Sequence, residues 1–306
     1  MSDQEPISVL TPEYLSVESK IRPDTIAKAY SDVQTHILRT DYKKDIGNDR
    51  GSNLVRMMEW VEDPGVVSTG ELKNAQGQLK NFFDTYQNFF VDLSDRMLIE
   101  KNDSEFKVQW AKFNQQLTED FLIAYDSHDE QFQQSINVFL TLAEKLSDNN
   151  DAVFREVEAL TNGARVQASL MNHFQEKGCL VLAPDPSNDA EIKQWDVNNA
   201  VDFLAITPNG RVFFIDAKSG IGLSEISRSH NAHWWLYDNE LPKVIDQYQK
   251  SAEDEKYKGN IEALQKKNKE KRESLESATL YIEPIMVNMD GSLDQKVKQY
   301  LEREFI

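Results

Sequence analysis

Asp202, Asp216 and Lys218 stand out because the residues around them, 200–218, are otherwise almost entirely apolar. Charge in such a setting is costly unless it is paired or put to use. The stretch reads as two short strands, 200–206 and 211–215, joined by Thr207-Pro208-Asn209-Gly210. Asn-Gly between β-rich runs is a strong hairpin signal, so the strands are expected to be antiparallel neighbours. Their nearly unbroken apolar character suggests a sheet covered by helices on both faces. Folding back brings Asp202, at the start of the first strand, to Asp216, at the end of the second. Lys218, two residues on, points to the same side as Asp216. Two carboxylates held together, with room for water and a phosphate, suit Mg²⁺. A lysine beside them can orient an attacking water and offset charge developing on a phosphate. The plainer reading is an ordinary Asp216–Lys218 strand-end pair with Asp202 as a turn residue.

With these residues the second half of the chain resembles the PD-(D/E)XK nuclease superfamily. The resemblance implies a restriction-endonuclease-like core of αβββαβ order, a mixed sheet flanked by helices. It assigns Asp202 and Asp216 to the metal, Lys218 to catalysis, and the backbone carbonyl of Ala217 to a further metal contact. The metal would be Mg²⁺, with Mn²⁺ able to substitute. Residues 152–176 read as the preceding helix, stopped at Gly178, and 179–183 as the next strand. Many members carry a glutamate on that helix facing the metal. The residue nearest that place is Gln167, with Glu156 and Glu158 closer to the helix start, so Glu158 is the candidate third acid and Gln167 its neutral substitute. Some branches of the family place a Gln and a Tyr on the helix after the lysine, to which Gln247 and Tyr248 correspond loosely.

Further along, His230 and His233 are spaced to share a metal if helical, and Trp234 and Trp235 could stack on bases; packing is the commoner role for such residues. Lys266, Lys267, Lys269, Lys271 and Arg272 form the one dense basic run, placed on a polar helix over 252–276. They are candidates for phosphate contact together with Gln247 and His233, against the plainer reading of a solvated face. Residues 278–289 read as a strand interrupted at Pro284, and 296–305 as a closing helix.

The first half has no catalytic grouping. Ile26, Tyr30, Val33 and Ile37 recur at helical spacing. So do Leu72, Leu79, Phe82, Phe83, Tyr86, Phe90, Leu93 and Met97, then Phe106, Trp110, Phe113, Leu117, Phe121 and Tyr125, then Phe132, Ile136, Phe139, Leu140 and Leu146. A helical bundle at 1–149 is the simplest architecture, joined at the turn signal 147–150 to the nuclease-like domain at 150–306. The overall class is α+β.

The 306 residues hold 34 basic and 52 acidic side chains, a formal charge of −18 that opposes a polyanion. The single Cys179 rules out an internal disulfide and a cysteine-type zinc site. A polar, acidic start and the lack of a long apolar run place the chain in the cytoplasm, or among toxins exported without a signal peptide. The expectation is a Mg²⁺-dependent endonuclease, acting on DNA rather than RNA, in microbial defence or interbacterial competition. A transfer-RNA-cleaving toxin of the same fold, and a binding protein that has lost catalysis, are the alternatives. The helical half is expected to serve a protein partner or self-association.

Overall fold

A computed structural model describes residues 58, 61–62, 73, 76–86, 89, 102–146, 152–220, 224–229, 239, 241–249, 254–270, 275–288 and 290–306. The chain divides into two compact units. One takes residues up to Phe106 together with Ala124–Thr161; the other takes Lys107–Ile123 with Asn162–Ile306. The architecture is mixed α and β, with helices and one mixed sheet.

In the first unit the described part of the aromatic stripes is core, while Leu72, Phe90, Leu93 and Met97 lie outside the described residues. Leu79, Phe82, Phe83 and Tyr86, helical over 76–86, are buried with Ile136, Phe139 and Leu140 of helix α2 (Glu130–Leu146). Phe82 and Phe139 stack with ring centroids 4.7 Å apart. The Nε2 of buried Gln78 donates to Gln134 Oε1 at 2.7 Å. Helix α1 (Ser104–Ser127) starts after Asp103, whose side chain accepts from the amides of Glu105 and Phe106. The helix ends at His128, in the left-handed region at φ 54°. The stripe expected around residues 26–37, and the turn at 147–150, lie outside the described residues.

The second unit is built on a five-stranded sheet of order β1-β2-β3-β5-β4. The strands are β1 (Leu180–Leu182), β2 (Phe203–Ile206), β3 (Val212–Ser219), β4 (Ser224–Ser229) and β5 (Leu275–Ile282). All pairs are antiparallel except β3 with β5. The hairpin turn uses Gly210 at φ +77°, with its amide bonded to Thr207 O at 2.9 Å. Asn209 is not left-handed, so Gly210 alone takes the positive φ that this turn needs.

The sheet has two apolar faces with different covers. On one, Phe203, Ala205, Phe213, Ile215, Ala217, Ala278, Leu280 and Ile282 pack against helix α3 (Ala152–Glu176), through Val166, Leu170, Met171 and Phe174, and against the closing helix. On the other, Leu180, Leu204, Ile206, Val212 and Phe214 meet Trp195, Leu241 of α5 (Leu241–Gln249), and Tyr257, Ile261 and Leu264 of α6 (Asp254–Glu270). α4 (Asp189–Ile192) precedes these, and α7 (Gln295–Glu304) is the closing helix.

Helix α3 and its stop at Gly178, φ +77°, match the boundaries read from sequence. Other bounds shift. β3 runs to Ser219 rather than ending at 215, because its parallel partner β5 continues alongside it to Ile282. β5 begins at Leu275 and ends before Pro284, which lacks the amide a ladder needs and opens a 3₁₀ turn (Pro284–Met286). α6 is described over Asp254–Glu270, and 275–276, expected to be helical, belong to β5. β4, Ser-Glu-Ile-Ser-Arg-Ser, was not expected, since it has no apolar alternation; it is the outer strand.

His173 on α3 is 2 % exposed, and neither ring nitrogen has a hydrogen-bond partner. Burial holds its pKa down at about 4, assisted by Lys177 and Lys298 and opposed by Glu302. Glu176, 4.0 Å from Nδ1, is the other acid facing it. An unfolded histidine titrates at 6.5. As pH falls from 6.5 to 4 the unfolded chain takes up this proton and the folded chain does not, so stability is lost across that window. The expected loss is roughly 2–3 kcal/mol, and chemical denaturation at both pH values should show it shrinking in His173→Leu.

Candidate active site

The face of the sheet covered by Trp195, α5 and α6 changes character along its strands. Leu204, Ile206, Val212 and Phe214 lie under those groups. Continuing the same alternation leads to Asp202 on the β2 side, Asp216 and Lys218 on β3, and Thr279 and Tyr281 on β5. Phe203 pairs with Ile215, and the Asp202 amide donates to Ile215 O at 2.9 Å, so the hairpin sets Asp202 beside Asp216. Asp216 pairs with Thr279, and Lys218 with Tyr281.

Asp202 is buried, and its Oδ2 accepts the Ala217 amide at 2.7 Å. That bond replaces a ladder partner just beyond the end of β2. Asp216 Oδ1 is buried and has the Lys218 ammonium as its ion-pair partner, with no hydrogen bond of ordinary geometry. Thr279 Oγ1 donates to Asp216 Oδ2 at 3.4 Å. The Lys218 side chain stays 45 % exposed against 15 % for Asp216, so the pair opens to solvent through the lysine.

A further acid joins this group. Asp196 sits on a π-helical turn, Lys193–Val197; its carboxyl feels the charges of Lys218 and Asp216 and adds to those acting on Asp202. Val108 and Ala111 of α1 pack with Ile192 and Val197 on either side of Asp196, and Trp195 is buried in the sheet core. The turn closes with Ala200, exceptionally left-handed at φ 51°, whose amide bonds Asp196 O at 2.8 Å; the chain then enters Asp202 directly. The local sequence signal is slight. A turn acid six residues ahead of Asp202 has no periodic pattern to mark it, and sequence reading passed over it.

The charges shape one another. Burial lifts the Asp202 carboxyl to about 8, and Asp196 and Asp216 add to this while Lys218 and the Ala217 amide oppose it. Asp196 is raised to about 6, mainly by burial, with Lys218 opposing and Asp216 adding. Burial disfavours the Lys218 ammonium, but Asp202, Asp216 and Asp196 outweigh it and push its pKa up. Three carboxyl groups thus share one cation.

The structure brings Asp202, Asp216, Ala217 and Lys218 together. Gln167 is buried elsewhere in the second unit, its Oε1 accepting from Asn114 Nδ2 at 3.0 Å and its Nε2 donating to Gln115 Oε1 at 2.9 Å. Its amide is thus spent on α1 and bonds to none of the three charged residues. Glu158, half-buried, belongs to the first unit. Lys266 is exposed on α6; Lys267 and Lys269 lie on the same helix and Gln247 and Tyr248 on α5, with side chains outside those described. Lys271, Arg272, His230, His233, Trp234 and Trp235 lie outside the described residues.

Among the described residues no group of three or more His, Cys, Asp and Glu side chains forms a ready metal cluster, and no helix is long and apolar enough to cross a membrane. No family model, curated protein or solved structure matches the chain.

Proposed function

We propose that this protein is a Mg²⁺-dependent endonuclease of the restriction-endonuclease-like class, hydrolysing phosphodiester bonds, of DNA in preference to RNA. The observation that carries the reading is the Asp216–Lys218 ion pair set beside buried Asp202 at the end of an otherwise apolar sheet face, with the lysine exposed. Three carboxyl groups against one ammonium leave negative charge that a divalent cation would balance. The donors are hard carboxylate oxygens, as Mg²⁺ prefers, and two protein ligands with water and phosphate completing the shell are its common arrangement. Asp202 and Asp216 would hold the ion, with the Ala217 carbonyl at the same strand end. Bound there, Mg²⁺ supplies polarisation of the scissile phosphate and a more acidic water.

The chain's own groups do the rest. Lys218, raised well into the protonated range, offers a fixed positive charge and donors at the open side, where an attacking water and the phosphate would meet. Asp216 orients that ammonium, and Thr279 steadies the second Asp216 oxygen. Asp196 supplies a carboxyl near pH 6, suited to accepting or relaying a proton within the group. A place in microbial defence or interbacterial competition belongs to the same proposal.

The test incubates purified protein with plasmid DNA, single-stranded DNA and, in parallel, total RNA, with Mg²⁺ or with EDTA. Magnesium-dependent cleavage of DNA that falls at least about a hundredfold in Asp216→Ala and Lys218→Ala is expected. Absence of Mg²⁺-dependent cleavage, or full activity in either variant, sinks the proposal; cleavage of RNA alone redirects it to a ribonuclease. The charge of −18 favours one other reading, a binding protein of this fold without catalysis. Calorimetry separates the two, because such a protein should bind Mg²⁺ no better than Asp202→Asn.

A further inference from the structure

Ile123 and Tyr281 are the two exposed large hydrophobic side chains among the described residues, and Tyr281 adjoins the acidic site. It is 39 % exposed on β5, although β5 is an interior strand flanked by β3 and β4. Interior strands normally hide large aromatics under a covering layer. Here Ala278, Leu280 and Ile282 are covered on the opposite face, while Tyr281 faces the side on which Lys218, its register partner, is also exposed. Gly220 lies against the ring: a Cβ at that position would come within 3.1 Å of Tyr281 Cδ1, so the absence of a side chain there lets the backbone pack on the tyrosine. The Gly220 amide is tied to Ile282 O at 3.1 Å, which fixes that packing.

We infer that Tyr281 is a stacking platform for an unpaired nucleotide next to the scissile phosphate, and that the substrate is single-stranded DNA or DNA with unpaired residues at the cleavage point. This rests on the nuclease reading above and adds the substrate class. A ring held by the backbone loses little freedom on stacking, and every base has a π-face to offer. Bases inside an intact duplex have no free face, so a platform beside the cleavage centre selects bases that are already unpaired.

The test measures KM and kcat for Mg²⁺-dependent cleavage of a short single-stranded oligonucleotide, its blunt duplex, and the same single strand with abasic residues at the cleavage point, which has no base to stack there. Wild type, Tyr281→Ala, Tyr281→Phe and Tyr281→Trp are compared. Tyr281→Ala should raise KM for the single strand roughly 5- to 150-fold with kcat little changed. The aromatic variants should hold KM near wild type, and the abasic strand should be cleaved alike by all four. The inference is overturned if Tyr281→Ala cleaves the single strand like wild type, if Tyr281→Phe loses as much as Tyr281→Ala, or if wild type prefers the blunt duplex. A wild-type protein that cleaves none of the three substrates overturns the nuclease reading itself, and the stacking inference with it.

Discussion

Asp202→Asn is expected to cut Mg²⁺-dependent cleavage by about a thousandfold or more while leaving the fold as stable as before, or more stable. The activity loss follows from removing one of the two carboxylates placed to hold the metal. The stability gain follows from electrostatics. The Asp202 carboxyl is raised from 3.8 to about 8, by burial first and then by Asp196 and Asp216. Between those values the folded chain keeps a proton that the unfolded chain has released, so the stability attached to it is complete below pH 3.8 and is lost as pH rises through 8. An asparagine carries a permanent donor in place of that proton and still offers an oxygen to the Ala217 amide. Above pH 8 the variant should therefore exceed wild type by on the order of 2 kcal/mol in denaturant titrations. Magnesium should narrow the gap. At tenfold excess over its Kd it adds about 1.4 kcal/mol to wild type, a Tm rise of roughly 3–5 °C, and nothing to Asp202→Asn. Cleavage within tenfold of wild type in this variant contradicts the assignment of Asp202.

Gly210→Ala is expected to be the most destabilising single change in the hairpin, by about 3–5 kcal/mol. Two costs combine. An alanine at φ +77° is strained by about 1–2 kcal/mol. Its Cβ would also lie 2.5 Å from the backbone carbon of Ala263 and 2.6 Å from the Leu264 nitrogen, in the middle of α6. Those neighbours are backbone and cannot swing aside, so α6 must move away from the sheet, and Leu264, Ile261 and Tyr257 lose their packing on Val212 and Ile206. A Tm lower by roughly 10 °C in differential scanning calorimetry is the expected result. A fall under about 2 °C would show that the turn does not abut α6. Gly77 and Gly259, where an added Cβ would meet nothing within 4 Å, are suitable controls.

Much of this unit could be read before folding. The Asn-Gly turn between apolar runs identified the β2–β3 hairpin, and alternation put Asp216 and Lys218 on one side of β3. The helix Ala152–Glu176 ended where Gly178 told it to. These features are local: each depends on residues a few positions apart, and propensity and periodicity report on that range. Elements that depend on a distant partner were misread. β4 has no apolar pattern of its own and exists by pairing with β5, some fifty positions on. The length of β3 was set by β5 beside it, and the end of β5 by Pro284.

The site divides along the same line. The order of residues by itself determined that Asp202, Asp216 and Lys218 would meet, because one hairpin and a two-residue repeat suffice to join them. It could not determine which other acid would approach, since that depends on how separate elements pack. Glu158 was the candidate third acid and Gln167 its neutral substitute, both on α3, yet Gln167 spends its amide on Asn114 and Gln115. Asp196 arrives instead, on a turn clamped between α1 and the sheet. The tertiary structure likewise decided where the helical cover stops, and so why Lys218 and Tyr281 face solvent while Phe214, on the same face of the sheet, does not. Burial and desolvation are properties of packing; a sequence states which charges exist, and only the packed chain sets what they cost.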